Sequence, residues 1–311
     1  MTAAPLAGYP FTPERVEVGG QTMSYVDARP GGGDGHGADG GSAPPVLLVH
    51  GNPTWSFYWR RLLTALPAAG RRAVAPDHVG MGLSSKPSAT EYPHTLARRV
   101  ADLDAFVDAV LPEGPLSLVV HDWGGPIGLA WAVEHPERIE RLVVLNSAAF
   151  PLPAGHAMPW TLRAARVPWL GETLVTRFNA FALGALVLGS GRPLLERPWL
   201  DAAARRGLLA PYDSPAHRVA VHAFVRDIPT GPQDPAHPVL VRLAERLGLL
   251  ADVPTTVCWG MKDPVFDADI LSHLLAGLPH AEVHRFPDAG HYVLEDAADA
   301  IVPIVTRALA P

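Results

Sequence analysis

The sequence predicts an α/β fold: a mostly parallel sheet flanked by helices, with an inserted helical cap. Short apolar runs alternate with segments of helical periodicity, which is typical of parallel strands joined by helical crossovers. After Asn146, roughly a hundred residues lack a convincing strand and carry many prolines among helical patterns. These two observations indicate one sheet interrupted by one long helical insertion.

The predicted strands are of two kinds. Residues 16–18 and 23–26 read as short strands around a Gly-Gly pair, which suits a hairpin turn. Continuous apolar runs mark the others, as expected where helices cover both faces of a sheet. These runs are residues 46–49, 73–75, 116–120, 142–145 and 255–259, followed by a last strand at residues 282–286. Helices are predicted at residues 98–110, whose apolar side chains share one face, and at residues 126–134.

The insertion divides the predicted core in two. We expect residues 1–146 and 252–311 to form the core and residues 147–251 to form the cap, with residues 31–45 as a flexible, glycine-rich surface loop. The cap is rich in leucine and in the aromatic residues Trp160, Trp169, Phe178, Phe181, Trp199 and Phe224. An apolar pocket is expected where it meets the sheet, although each aromatic taken singly is expected to pack in the cap's own core.

Composition excludes several classes of function. The chain has 311 residues, 48% of them apolar and 18% charged, and its net charge of −6 argues against binding nucleic acid. No apolar run is long enough to span a bilayer and no secretion signal opens the chain, so a soluble, cytoplasmic protein is expected. Scattered histidines, the single cysteine Cys258 and a glycine-rich loop at residues 77–82 without a nucleotide-binding spacing predict neither metal nor cofactor.

The residue type at one strand-to-helix turn points to the chemistry. Asp122, within Val119 to Gly125, follows a predicted strand and precedes a predicted helix, where a sharp turn exposes a nucleophile. A carboxylate that attacks a saturated carbon displaces a leaving group and becomes an alkyl ester. The sequence therefore predicts a nucleophilic aspartate and a site for a departing group.

Two later residues complete a predicted triad. His291 follows the last predicted strand and Asp263 follows the strand before it, which gives the chain order nucleophile, acid, histidine. Asp263 also precedes Pro264 and could cap a helix instead. A competing acid would follow residues 142–145, but residues 146–150 contain no carboxylate. Asp263 is therefore the predicted acid.

The leaving group needs hydrogen-bond donors near Asp122. Asn52, in a loop after the strand at residues 46–49, can donate from its side-chain amide, and Trp123 can donate its indole N–H. Their backbone N–H groups are expected to hold one oxygen of Asp122 and to aim the other at the substrate. Asn52 and Trp123 are the predicted leaving-group site.

Four segments carry a resemblance to a known family. HGNPTWSFYWR at residues 50–60, PDHVGMGLSSKP at 76–87, VVHDWGG at 119–125 and GHYVLED at 290–296 resemble the haloalkane dehalogenase family of α/β-hydrolases. The resemblance implies that Asp122 is the nucleophile, His291 the base, Asp263 the acid, and Asn52 with Trp123 the halide-stabilising pair. Val120 stands where the general hydrolase pattern has glycine.

Cap segments are similar to one branch of that family. LNSAAFPLPAGHAMPW at residues 145–160, FNAF at 178–181, and PYDSPAHR with FVRDIP within 211–229 resemble the β-lactone decarboxylases of bacterial long-chain olefin biosynthesis. The resemblance implies release of carbon dioxide and a cis-alkene from cis-3,4-dialkyl oxetan-2-ones. It also implies a hydrophobic small-molecule substrate and assembly with other olefin-biosynthesis enzymes.

Three other functions stay open on the sequence. A haloalkane dehalogenase would use His291 to activate water, and nothing in the five site residues excludes it. An epoxide hydrolase also uses an aspartate nucleophile but needs two cap tyrosines, and this cap has only Tyr212. A non-catalytic protein on the same fold is disfavoured because nucleophile, base, acid and donors are all present.

Overall fold

An eight-stranded, mostly parallel sheet forms the centre of the molecule. The computed structural model describes residues 6–31, 43–153, 155–191 and 202–310. The strands are β1 (Glu14–Val18), β2 (Gln21–Ala28), β3 (Val46–Val49), β4 (Ala73–Pro76), β5 (Leu116–Asp122), β6 (Ile139–Ser147), β7 (Thr255–Gly260) and β8 (Glu282–Phe286). Their order is β1-β2-β4-β3-β5-β6-β7-β8, and only the β1–β2 and β2–β4 pairs are antiparallel. The predicted α/β class is confirmed.

Helices cover the sheet and fill the chain between β6 and β7. They are α1 (Arg60–Ala68), α2 (Leu96–Val110), α3 (Gly124–Ala132), α4 (Trp160–Arg166), α5 (Leu170–Glu172), α6 (Ala180–Leu188), α7 (Ala202–Leu209), α8 (Val219–Asp227), α9 (His237–Arg246), α10 (Ala268–Gly277), α11 (Val293–Asp296) and α12 (Ala298–Ala308). Strands β3, β4 and β5 are wholly buried, as their continuous apolar runs predicted. None of the described helices is long and apolar enough to cross a bilayer.

Three predicted boundaries were wrong near the carboxyl ends of β5 and β6. β5 runs to Asp122 instead of stopping at residue 120, so Asp122 is the last residue of the strand. β6 runs to Ser147 instead of stopping at residue 145, so Asn146 belongs to the strand and not to the loop after it. Its polar end was missed because only the apolar stretch was taken as strand. α3 begins at Gly124 instead of Pro126, since two glycines that follow Trp123 form its first turn.

The stretch between β6 and β7, here called the insertion, contains α4 to α9. The domain boundaries at residues 146 and 252 stay a prediction. The expected loop at residues 31–45 lies mostly outside the described residues, as does Trp199. The expected packing in the cap's own core was wrong for four aromatics: Phe224 is buried but contacts His78, Arg99 and Trp123 of the core, and Trp160, Trp169 and Phe178 are 76%, 75% and 67% exposed.

Close backbone packing surrounds the turn after β5. A Cβ on Gly124 would lie 2.0 Å from the Val49 carbonyl oxygen, and one on Gly125 would lie 1.8 Å from Ser147 Oγ. The Val49 backbone cannot yield at such a distance without moving β3, so residue 124 has to be glycine for β5 to keep its place beside β3. At residue 125 the conflict is with a side chain, the Ser147 hydroxyl that donates to the Asp122 carbonyl.

We expect Gly124→Ala to lower the free energy of unfolding by about 1–3 kcal/mol or more, because the added methyl overlaps the backbone of β3. Gly184→Ala in α6 is the matched control, since a Cβ there meets nothing within 4 Å. In a helix interior, alanine is favoured over glycine by about 0.5–1 kcal/mol. Urea denaturation of both variants measures the difference, and equal stability would contradict the packing argument.

Candidate active site

Asp122 stands at the end of β5 in a backbone conformation that side chains rarely adopt. Its φ is +52°, in the left-handed region, where a residue other than glycine is strained. Its Oδ1 accepts a hydrogen bond from the backbone N–H of Asn52 at 2.6 Å, and the backbone N–H of Trp123 also bonds the carboxylate. The predicted grip on Asp122 is therefore present, and Oδ2 lies 3.6 Å from His291 Nε2.

The environment of Asp122 pulls its pKa in opposite directions. Burial raises the pKa above its ordinary value. The charge on His291 and the N–H groups of Asn52 and Trp123 lower it, and the charge on Asp263 adds a smaller upward push. The ionised form needed for attack therefore depends on the neighbouring histidine and on two backbone donors.

His291 lies between two carboxylates. Its Nδ1 is 2.9 Å from Asp263 Oδ2, and its Nε2 faces Asp122. Burial lowers the pKa of His291, but the charges of Asp263 and Asp122 and the hydrogen bond to Asp263 outweigh it and raise the pKa to about 9. At neutral pH the imidazole is therefore mostly protonated.

Asp263 faces His291 and is not the cap of a helix, because the next helix, α10, begins at Ala268 and has Asp267 as its N-cap. Its Oδ1 accepts the backbone N–H groups of Val265 at 2.7 Å and Phe266 at 3.0 Å in the turn that follows β7. Its Oδ2 faces His291 and also accepts from Asn146 Nδ2 at 2.9 Å. The turn therefore fixes one oxygen of Asp263 and directs the other at the imidazole, and the helix-cap interpretation was wrong.

Asn146 is a site residue that sequence reasoning missed. It has a φ of +24°, donates Nδ2 to the Gly260 carbonyl at 3.0 Å and accepts the Gly260 N–H at Oδ1, at 2.7 Å. These bonds join the ends of β6 and β7 beneath Asp263. Asn146 was passed over because it is not a carboxylate. Its side-chain amide instead orients Asp263, the predicted acid that follows β7.

His121 was also missed. Its Nε2 lies 2.8 Å from the carbonyl oxygen of His291, and its ring stacks on Tyr58 at 4.6 Å. Burial lowers the pKa of His121 well below its ordinary value, and the nearby His291 adds to this, so the ring is neutral and Nε2–H donates. A buried histidine directly before the nucleophile, inside an apolar strand, was the available signal. His121 holds the backbone of the His291 loop.

The leaving-group donors are tied to the insertion. Asn52 donates Nδ2 to the Val221 carbonyl of α8 at 3.1 Å, which uses one of its two amide hydrogens and leaves the other. The Trp123 indole N–H has no hydrogen-bond partner among the described residues, and both side chains line the cavity described below. Asn52 and Trp123 therefore still form a predicted donor pair, with Asn52 oriented by α8.

Helix α8 positions Trp123 as well. The Phe224 ring meets the Trp123 indole edge-on, with centroids 5.6 Å apart, and the Arg99 guanidinium carbon lies 3.6 Å from the centre of the Phe224 ring. Arg99 Nη1 donates to Asp227 Oδ2 at 3.1 Å, and that oxygen also accepts the backbone N–H of Leu96. One buried ion pair thus fastens α8 to α2 while α8 holds both donors.

An apolar cavity of about 390 Å³ lies over the carboxylate. Its polar lining groups are Asn52, Asp122, Trp123, His156, Trp160, Thr161 and His291. The rest of the described lining is apolar and contains no lysine, arginine or tyrosine. The pocket expected between cap and sheet is present, and it suits a substrate with hydrocarbon arms around one reactive centre.

One acidic cluster lies at the edge of the cavity. His156, Asp267 and Asp269 bring three potential metal-ligand atoms within 4.8 Å of one another. Asp267 Oδ1 already accepts the backbone N–H groups of Asp269 and Ile270 as the N-cap of α10. The cluster is therefore explained by capping, and the absence of a metal stays a prediction.

We expect Asp227→Asn to cost about 3–5 kcal/mol of unfolding free energy, because Arg99 then lies buried without its counter-ion. Glu134→Gln is the matched control, since the Glu134–Arg242 pair also joins core to insertion but is solvent-exposed. Such exposed pairs contribute about 0–1 kcal/mol. Chemical denaturation tests this, and similar losses in the two variants would show that burial does not decide the strength of the contact.

The arrangement agrees with comparisons to known proteins. Residues 44–298 match the family model described as alpha/beta hydrolase fold. The cis-3-alkyl-4-alkyloxetan-2-one decarboxylase of Xanthomonas campestris pv. campestris is 42% identical over 96% of both chains. Haloalkane dehalogenase 1 of Mycobacterium tuberculosis is 36% identical over 94% of this chain and 91% of its own. The crystal structure of haloalkane dehalogenase DatA from Agrobacterium tumefaciens C58 superposes with a TM-score of 0.80 at 25% identity, covering 96% of each chain. The chain belongs to the α/β-hydrolase fold family, in its haloalkane dehalogenase-like branch.

Proposed function

We propose that this protein converts cis-3,4-dialkyl β-lactones to cis-alkenes and carbon dioxide, with Asp122 as nucleophile. The observation that carries the proposal is the Asp122 carboxylate, which has one oxygen held by backbone N–H groups and lies with Asn52 and Trp123 at an otherwise apolar cavity. The likeness to a relative named for this reaction, at 42% identity over 96% of both chains, supports the choice of substrate.

The first step opens the lactone ring. Asp122 Oδ2 attacks the ring carbon that bears the ring oxygen, and the carbon–oxygen bond breaks with inversion. The electron pair leaves on oxygen as a carboxylate, for which the remaining amide hydrogen of Asn52 and the indole N–H of Trp123 are the donors. The product is an alkyl ester of Asp122 with a carboxylate on the neighbouring carbon.

The second step releases the products. The bond between the carboxylate and its carbon breaks, its electrons form the alkene, and the ester carbon–oxygen bond returns its pair to Asp122. Inversion followed by anti departure preserves the cis geometry of the lactone. Atoms and charge balance without water, and the nucleophile is regenerated.

His291 acts electrostatically in this reaction. Its pKa of about 9 keeps it mostly protonated at neutral pH, and its Nε2 faces the Asp122 oxygen that departs in the second step. A cation there stabilises the returning carboxylate. In this account Asp263 and Asn146 keep the imidazolium in place, so the triad serves a reaction that needs no proton transfer.

Haloalkane hydrolysis is the second candidate. The 36% identity to haloalkane dehalogenase 1 of Mycobacterium tuberculosis over 94% of this chain favours it, and a neutral His291 could activate water against the alkyl ester. Epoxide hydrolysis has less support, because the hydroxyl of buried Tyr212 donates to the Thr54 carbonyl and Tyr212 does not line the cavity. A role in long-chain olefin biosynthesis, assembly with enzymes that make the lactone, and a cytoplasmic location stay predictions.

We expect purified protein to produce alkene without hydroxy acid from a cis-dialkyl β-lactone, as measured by gas chromatography, and Asp122→Ala to abolish it. Asp213→Ala, at an exposed aspartate of the insertion, is the control and should retain full activity. Halide release from 1-bromobutane is measured in parallel. Halide without alkene would move the assignment to haloalkane dehalogenase. If neither alkene nor halide were formed, both candidate functions would be contradicted.

We expect alkene formation to fall as pH rises through about 9, by roughly tenfold per pH unit, because the protonated form of His291 is the active one and is lost above its pKa. His291→Ala should be much slower and should lose this alkaline limb. A rate that increases through the same range would indicate a neutral histidine acting as base. Full activity in His291→Ala would exclude the imidazolium from the reaction.

A further inference from the structure

Exposed apolar side chains are concentrated in one part of the insertion. Of the eight exposed large hydrophobic residues described, six lie between residues 160 and 188, whereas Leu83 and Leu249 lie elsewhere. We call these six the apolar face: Trp160, Val167, Trp169, Phe178, Val187 and Leu188. They belong to α4, α6 and the turns between them, which pack consecutively on one another. Single exposed apolar residues are ordinary, but a cluster of this kind marks an interaction site.

Backbone geometry at one of these aromatics supports a built surface. Trp169 has a φ of +53°, an unusual value for a bulky side chain, and is 75% exposed. Such outliers cluster at functional sites. Phe178 is 67% exposed and has an ordinary φ of −99°. The strained backbone at residue 169 therefore carries an aromatic ring that is largely exposed to solvent.

Two residues of the apolar face also line the cavity. Trp160 and Leu188 are 76% and 53% exposed, and both also line the cavity that contains Asp122 and His291. A residue that is both exposed and part of the lining marks a route from outside. A hydrocarbon held against this face would therefore lie at the entrance to the site.

The charge near the apolar face favours an anionic occupant. Arg163, Arg166 and Arg177 against Glu172 alone give residues 155–191 a net charge of +2, three minus one, in a chain of −6. Arg166 bonds backbone carbonyls of the insertion, while Arg163 and Arg177 are exposed beside the aromatics. Aromatic rings with arginines at their edge are the composition of surfaces that bind anionic membranes.

We propose that the apolar face docks on an anionic lipid bilayer, and that apolar substrate enters the cavity from the lipid without crossing water. Docking does not depend on the proposed reaction, and only the entry of substrate does. The rings of Trp169 and Phe178 sit among the acyl chains near the headgroups, and Arg163 and Arg177 meet the phosphates. The cavity entrance then faces the hydrocarbon.

Vesicle sedimentation without substrate tests the docking. Full-length protein is mixed with vesicles of phosphatidylcholine alone or with added phosphatidylglycerol. We expect wild type to bind the anionic vesicles and Trp169→Ser/Phe178→Ser to bind at least about tenfold more weakly, because two aromatic side chains no longer enter the lipid. Leu83→Ser/Leu249→Ser is the matched control, since it removes the two exposed apolar residues outside the face.

Charge is tested separately by Arg163→Gln/Arg177→Gln, which should weaken binding to anionic vesicles and leave binding to phosphatidylcholine unchanged. Circular dichroism checks that each variant is folded. Wild type that stays unbound, or equal loss in the face and control variants, would overturn the proposal. Light scattering that shows an oligomer dissolved by Trp169→Ser/Phe178→Ser, without vesicle binding, would identify a second copy of the chain as the occupant instead.

Discussion

The left-handed backbone of Asp122 at the end of β5 is the constraint on which the rest of the site depends. This turn makes the chain leave the sheet sharply, and a Cβ on Gly51 would lie 2.1 Å from Asp122 Oδ1. A Cβ on Gly124 or Gly125 would also overlap its neighbours, so the residues packed around this strained turn are glycines. Because the carboxylate is fixed by the turn and by the Asn52 N–H, every other group need only be brought to it.

Two parts of the molecule position the groups around Asp122. The core positions the positively charged His291, and the insertion positions the predicted leaving-group donors. In the core, hydrogen bonds from Asn146 and from the backbone N–H of Val265 orient the Asp263 carboxylate, which holds His291. The insertion supplies the orientation of the donors, since α8 bonds Asn52 and packs on Trp123. A displacement of α8 would therefore disturb Asn52 and Trp123 and leave the proposed triad in place. Leaving-group stabilisation and the triad thus depend on different parts of the structure.

The sheet and the five central residues could be predicted because their signals are local. Apolar runs define the buried strands, Asp122 and Asp263 each follow one of them, and His291 follows the last strand, β8. The supporting contacts could not be predicted, since they join distant segments: Arg99 and Asp227 are 128 residues apart and carry no shared local pattern. Asn146 was overlooked because its role depends on the exact end of β6. Exposure of Trp160, Trp169 and Phe178 was missed because apolar content alone predicts burial.

In the proposed mechanism, the same five residues serve either reaction, because the substrate decides what happens to the alkyl ester of Asp122. An ester formed from a haloalkane has no group that can expel Asp122 in another direction, so water must release it. An ester formed from a β-lactone carries a carboxylate on the adjacent carbon, and loss of carbon dioxide from that carbon can expel Asp122 without a second reactant. A change from hydrolysis to decarboxylation therefore requires no new catalytic residue, only a cavity that admits a lactone with its alkyl arms.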